Sequence, residues 1–242
     1  MKFIGLTDIG NKRELNEDSY DFFEDGKMAV IVVADGMGGH NAGEVASSMA
    51  VRAIRQSFCE NKESDISKRL KKAVYFANDL VYEKSKSDPE LSAMGTTAVV
   101  CCIKGSYAYF ANVGDSRGYI ISNDGITQIT QDDSMVSELV RKGTITPEEA
   151  KNHPRRNLIT KAIGTDADVQ PQLSRVSCKK DSVVLLCTDG LTEYVNDDEI
   201  FSIIKEFGAE KGAPKLIELA LDRGGRDNIT LVMYAMGEVE GL

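Results

Sequence analysis

Three times along this chain an apolar, β-branched run gives way to an aspartate beside a glycine. Asp35-Gly36 follows VIVVA, Asp189-Gly190 follows VVLLCT, and Gly114-Asp115 follows YAYFANV. A fourth aspartate, Asp227 in GGRDNIT, precedes such a run. A strand end is a rigid platform, so carboxylates placed there converge on one point with little further loss of order. The adjoining glycine lets the backbone approach closely enough for its carbonyl to serve as a ligand. Taken singly, an Asp-Gly pair is turn punctuation. Taken together, converging carboxylates repel one another unless cations lie between them. On spacing alone, turns and an oxygen-ligated metal site both remain open.

The rest of the composition narrows the metal. The chain has two histidines, His40 and His153, and no Cys-x-x-Cys pair among Cys59, Cys101, Cys102, Cys178 and Cys187. Zinc and non-haem iron sites draw on imidazoles or thiolates. A metal here is therefore held by oxygen, which means Mg²⁺, Mn²⁺ or Ca²⁺. The net charge of -9 disfavours nucleic acid and anionic membrane surfaces as partners. Two divalent cations would offset four of those charges. The odd cysteine count, with thiols in apolar runs, argues against a disulfide framework and for a reducing compartment. The longest apolar run, 28–34, is far short of the ~20 residues of a bilayer span. The N-terminus lacks a signal-peptide core, so a soluble cytoplasmic protein is expected.

Periodicity predicts strands at 2–7, 28–34, 96–103, 106–112, 118–121, 126–130, 182–187 and 228–235. It predicts helices at 43–58, 64–84, 197–207 and 213–222, with short ones at 135–142 and 147–151. No linker or repeat divides the chain, so one domain spanning 1–242 is expected. Hairpins without regular βαβα alternation favour antiparallel sheets with helices outside them.

Six motifs in order resemble the metal-dependent (type 2C) protein serine/threonine phosphatases, in their compact bacterial branch. They are TDIGNKRELNED (7–18), DGMGGHNAGE (35–44), MGTT (94–97), NVGDSR (112–117), CTDGL (187–191) and GGRDNIT (224–230). The resemblance implies an α+β fold, an α-β-β-α sandwich of two antiparallel sheets flanked by helices. It implies two Mn²⁺ or Mg²⁺ ions per chain, with a third, weaker one. Asp35 matches the bridging aspartate, Gly36 the carbonyl donor, and Asp189 and Asp227 ligands of the other ion. Asp115, with Asp189, matches the weaker site. Arg13 matches the phosphate-gripping arginine, and Glu17 and Asp18 the carboxylates that hold metal-bound waters. The implied reaction is hydrolysis of phosphoserine and phosphothreonine by metal-activated water, without a covalent phosphoenzyme.

Two departures stand out. Animal members carry a histidine after Asp-Gly where this chain has Met37, which leaves His40 as the candidate general acid or a loop-orienting residue. Where many relatives have Asp-His-Ser, this chain has Asp132-Asp133-Ser134. His153 and Gly95-Thr96-Thr97 read as structural, and Arg117 as orienting Asp115. The polar segment 132–172 corresponds to the flap beside the active site. The resemblance also implies a monomer acting on phosphorylated proteins, opposing a Ser/Thr protein kinase and its substrates. A small-molecule phosphatase, a catalytically inert binding module and a sigma-factor regulator phosphatase are the competing readings.

Overall fold

The computed structural model describes residues 2–38 and 42–237. Two antiparallel sheets lie face to face. One contains, side by side, β1 (Phe3–Asp8), β11 (Ile229–Ala235), β10 (Val183–Cys187), β7 (Arg117–Ser122) and β8 (Gly125–Gln128). The other contains β2 (Asp18–Asp25), β3 (Met28–Met37), β5 (Ala98–Lys104), β6 (Tyr107–Val113) and β9 (Gln172–Ser177). The short β4 (Gly95–Thr96) pairs with the end of β3.

Residue alternation along the central strands builds three apolar layers. Ile31, Val33, Val99 and Cys101 meet Val184, Leu186 and Val232 between the sheets. The opposite face of β3, through Val30, Val32 and Ala34, packs on α1 (Ala42–Glu60), while α2 (Ile66–Ser87) covers β5 and β6 in the same apolar layer. Leu185, Cys187, Leu231 and Met233 share a layer with the short α5 (Asp189–Thr192) and with α6 (Asp197–Asp222). Helix, sheet, sheet, helix is the expected sandwich. Both sheets are covered on both faces, which is why β3 and β10 read as continuous apolar runs.

Local chemistry sets the helix ends. The Asp65 side chain accepts from the Lys68 amide at 3.2 Å and starts α2. Asn196 and Glu199 form a capping box at α6. Gly208, with φ of 69°, breaks α6 into two arms, as the separate patterns at 197–207 and 213–222 anticipate. The five cysteines are free thiols. Among the described residues no helix is long and apolar enough to cross a membrane.

Three features differ from the sequence reading. Strands β2 and β9 were not anticipated. Each lies at a sheet edge, and the alternate exposed residues of β9 (QLSRVS) show why its pattern is weak. Asp35 does not follow a strand but lies within one, because it pairs with Asp18 of β2, and β4 carries the strand two residues further: Gly36 faces Thr96 and Met37 faces Gly95. Segment 132–172 carries the expected short helices α3 (Met135–Arg141) and α4 (Pro147–Lys151), and its ends are joined by pairing of Ser134 with Ile159.

Leu186 is fully buried between the sheets. Leu186→Ala should cost about 2–5 kcal/mol in chemical denaturation. Leu173→Ala, on the exposed face of edge strand β9, should cost roughly 1 kcal/mol or less. Equal losses would contradict the buried inter-sheet layer.

Candidate active site

Antiparallel pairing brings strand starts and strand ends to one edge of the sandwich. In the first sheet, β10 ends just before Asp189, β7 begins just after Asp115, and β11 begins just after Asp227. In the second, Asp18 opens β2 and faces Asp35 directly across the β2–β3 pair. Directly opposed like charges on neighbouring strands are destabilising unless something offsets them.

The backbone beneath the carboxylates is fixed by hydroxyls and amides. The Asp35 carbonyl accepts from Thr96 Oγ1 (2.8 Å) and from the Thr97 amide (2.9 Å). The Asp35 amide donates to Thr97 Oγ1 at 3.0 Å, and that hydroxyl bonds Ser116 Oγ at 2.7 Å. Thr188 Oγ1 donates to Asp18 Oδ2 at 2.9 Å and accepts from the Thr230 amide at 3.0 Å. Asn228 Nδ2 donates to the Ile9 and Leu15 carbonyls, both at 2.9 Å, while its Oδ1 accepts from the Glu17 amide at 2.8 Å. That side chain thus ties the Arg13 loop to the start of β11.

These supports were not singled out from the sequence as site residues. The signal available was that Thr188 and Asn228 sit inside the same motifs as Asp189 and Asp227, while Thr96 and Thr97 form a motif of their own, MGTT.

Burial and mutual repulsion shape the protonation. Burial, then the neighbouring Asp18 and Asp189, hold the Asp35 carboxyl well above the ordinary aspartate value. Burial pushes Asp18 up to about 7, against hydrogen bonds from Thr230 and Thr188. Asp115 is raised to about 7 by burial and by Asp189. Asp189 is raised to about 6 by burial and Asp227, while a hydrogen bond with Asp35 favours its ionised form. Glu17 is raised by burial, with Arg13 acting in the other direction. Arg13 Nη2 donates to Asp227 Oδ2 at 2.8 Å, and this bond stabilises the guanidinium.

Among the described residues, no three His, Cys, Asp or Glu side chains already stand in an ion-binding array. Arg13 offsets part of the cluster's charge through its bond to Asp227. The donor chemistry nevertheless fits hard divalent cations. All donors are oxygens. Glu17 Oε1 and Asp18 Oδ1 are buried without a hydrogen-bond partner, and such atoms call for a partner. A Cβ on Gly36 would strike the Gly43 and Glu17 carbonyls, so only glycine lets these backbone segments close up beside Asp35.

Arg13, Glu17, Asp18, Asp35, Asp115, Asp189 and Asp227 are thus brought together. His40 lies outside the described residues. Arg117 is a correction: its guanidinium does not orient Asp115 but clamps Asp132, with Nη2 to Oδ2 at 2.7 Å. His153 accepts from the Arg155 amide through Nδ1 at 3.1 Å, a loop contact as expected.

An α-β-β-α sandwich with an aspartate cluster at one edge defines a class, and comparison with known proteins agrees. Residues 10–216 match the protein phosphatase 2C family, and the chain belongs to that family. It is 40% identical to the serine/threonine phosphatase stp of Listeria innocua, over 94% of this chain and 92% of that one. Its fold is similar to serine/threonine phosphatase Stp1 from Staphylococcus aureus, with a TM-score of 0.91 and 39% identity, covering 97% and 95% of the two chains. It is also similar to the catalytic domain of the phosphatase PstP in complex with two manganese ions, with a TM-score of 0.85 and 36% identity, covering 97% of each chain.

The raised carboxyl groups dictate a pH dependence. Asp18, Asp115 and Asp189 bind protons more tightly in the folded chain than at the ordinary value of 3.8. Their stabilising protonation is complete below about pH 4 and is lost as pH rises through about 6 to 7. The melting temperature of metal-free protein should therefore fall by roughly 5 °C or more between pH 5 and 7.5. Asp18→Asn should flatten that fall, as should saturating Mn²⁺. A slope unchanged in Asp18→Asn would contradict the assignment.

Proposed function

We propose that this chain hydrolyses phosphoserine and phosphothreonine on proteins with the aid of two Mn²⁺ or Mg²⁺ ions. The observation that carries the reading is the buried carboxylate cluster with Arg13 beside it. When bound, the ions supply Lewis acidity and an activated water nucleophile. Asp35, the Gly36 carbonyl, Asp189 and Asp227 would hold them, with Asp115 and Asp189 serving a weaker third site. Glu17 and Asp18 would accept hydrogen bonds there through the buried oxygens that lack a partner. Arg13 is 47% exposed on its side chain and can leave Asp227 for a phosphate, which its planar fork fits in bidentate fashion.

The alkoxide of serine or threonine departs with a proton. His40 is assigned that donation on its place in the sequence, three residues beyond Met37. Segment 132–172 is assigned as a flap that contacts substrate and gates the site. The kinase-opposing role, the cytoplasmic location, the monomeric state and the single domain over 1–242 belong to the same proposal. The charge of -9 supports it by disfavouring nucleic acid and membrane surfaces.

Hydrolysis of p-nitrophenyl phosphate and of a phosphothreonine peptide, with and without Mn²⁺, tests the activity. EDTA should abolish both reactions and Mn²⁺ restore them. Asp35→Asn should lower turnover by ~10²-fold or more at saturating metal, with the fold kept. Full activity after exhaustive chelation, or a strict Zn²⁺ requirement, would overturn the reading.

His40→Ala separates two leaving-group accounts. Para-nitrophenolate departs without a proton, so a general acid at His40 predicts ~10²-fold slower peptide hydrolysis with the aryl ester nearly spared. Equal slowing of both substrates would instead make His40 a loop-positioning residue.

A further inference from the structure

Asp133 lies outside the carboxylate cluster and is only 2% exposed. Its amide donates to the Gly114 carbonyl at 2.9 Å, and its Oδ2 accepts from the Gly114 amide at 3.3 Å. Its Oδ1 accepts from Lys161 Nζ and from Gln172 Nε2, both at 2.9 Å. Its carbonyl accepts from the Thr160 amide at 2.6 Å. Gly114 is the residue before Asp115, and at φ of 100° it is in a conformation that favours glycine. Asp132, the preceding neighbour, is clamped by Arg117, two residues beyond Asp115. The Asp132-Asp133 pair therefore grips the chain on both sides of Asp115.

We propose that Asp133 is a positioning residue that fixes the Asp115 loop and couples it to the base of segment 132–172. The proposal rests on the reading of Asp115 as the ligand of a weaker ion site. Every group that reaches the Asp133 carboxylate is a donor: a backbone amide, an ammonium and a side-chain amide. An acceptor-only side chain satisfies all three, and asparagine would turn an N–H₂ against one of them. Lys161 supplies the charge that lets the carboxylate stay buried, since a buried ion without its partner is strongly disfavoured. Thr160 and Lys161 belong to the returning end of the segment, so displacement of that end is felt at Gly114 through one side chain.

The test uses Asp133→Asn, Lys161→Met, Asp115→Asn and the double variant Asp115→Asn/Asp133→Asn. Lys161 and Gln172 are partly exposed, so Lys161→Met and Gln172→Ala serve if Asp133→Asn does not fold. In metal-free protein, amide exchange over residues 113–116 should speed up about 10-fold or more in Asp133→Asn, with α1 and α6 unaffected. With phosphothreonine peptide, kcat should fall about 10-fold at unchanged KM, and the Mn²⁺ dependence of turnover should move to higher concentration. In the double variant, kcat should be no lower than in Asp115→Asn alone. Multiplicative losses, or unchanged exchange at 113–116, would overturn the coupling. If Asp115→Asn alone left kcat and the Mn²⁺ dependence intact, the reading of Asp115 would fall, and the exchange result would show separately whether the clamp exists.

Discussion

Carboxylates buried at one end of the sandwich cannot all be ionised together without cations among them. This constraint governs the rest of the molecule. Asp18 and Asp35 face each other across one sheet, while Asp115, Asp189 and Asp227 come from the ends of the other. Burial and mutual repulsion together raise Asp18, Asp35, Asp115 and Asp189 above the ordinary aspartate range. A chain that keeps such a cluster needs a scaffold stiff enough to resist its spreading.

The scaffold meets that need through the layer between the sheets and through a set of short polar ties. Ligands contributed by both sheets keep their spacing only if the sheets do not slide. Ile31, Val33, Leu186 and Val232 fill that interface without exposure to solvent. Thr97 joins the Asp35 strand to the Asp115 loop, Thr188 joins β10 to Asp18, and Asn228 joins β11 to the Arg13 loop. Each tie is a hydrogen bond between groups withdrawn from water, where an unmade bond is costly. The core and the site are therefore one mechanical unit rather than a stable body with a separate active surface.

Segment 132–172 is joined to this unit at its base. Its outgoing and returning ends pair with each other, and Ile163 pairs with Thr96 beneath Asp35. Asp132 and Asp133 then hold the residues on either side of Asp115. A polar excursion beside the site is thus anchored where it can influence ligand geometry, although its short helices bury little apolar surface.

Much of this was legible in the residues themselves. Aspartates beside apolar runs, the scarcity of histidine and the helical periodicities of α1, α2 and α6 follow from local chemistry, and local chemistry is written in adjacent residues. Other features depended on partners far apart in the chain. The edge strands β2 and β9 are half-exposed and carry charges that mask their alternation. Asp35 belongs to β3 because it pairs with Asp18 of the edge strand β2, and β4, some sixty residues later, extends the strand past it. Arg117 turned to Asp132 rather than Asp115 because the end of β8 delivers that carboxylate beside it. By itself the sequence determined which residue types could make an oxygen-ligated site and where the central strands and the long helices would lie. Only the tertiary structure decided which carboxylates meet, how strongly each holds its proton and which side chains tie them down, because repulsion, desolvation and hydrogen bonding depend on distances that close only when the sheets pack.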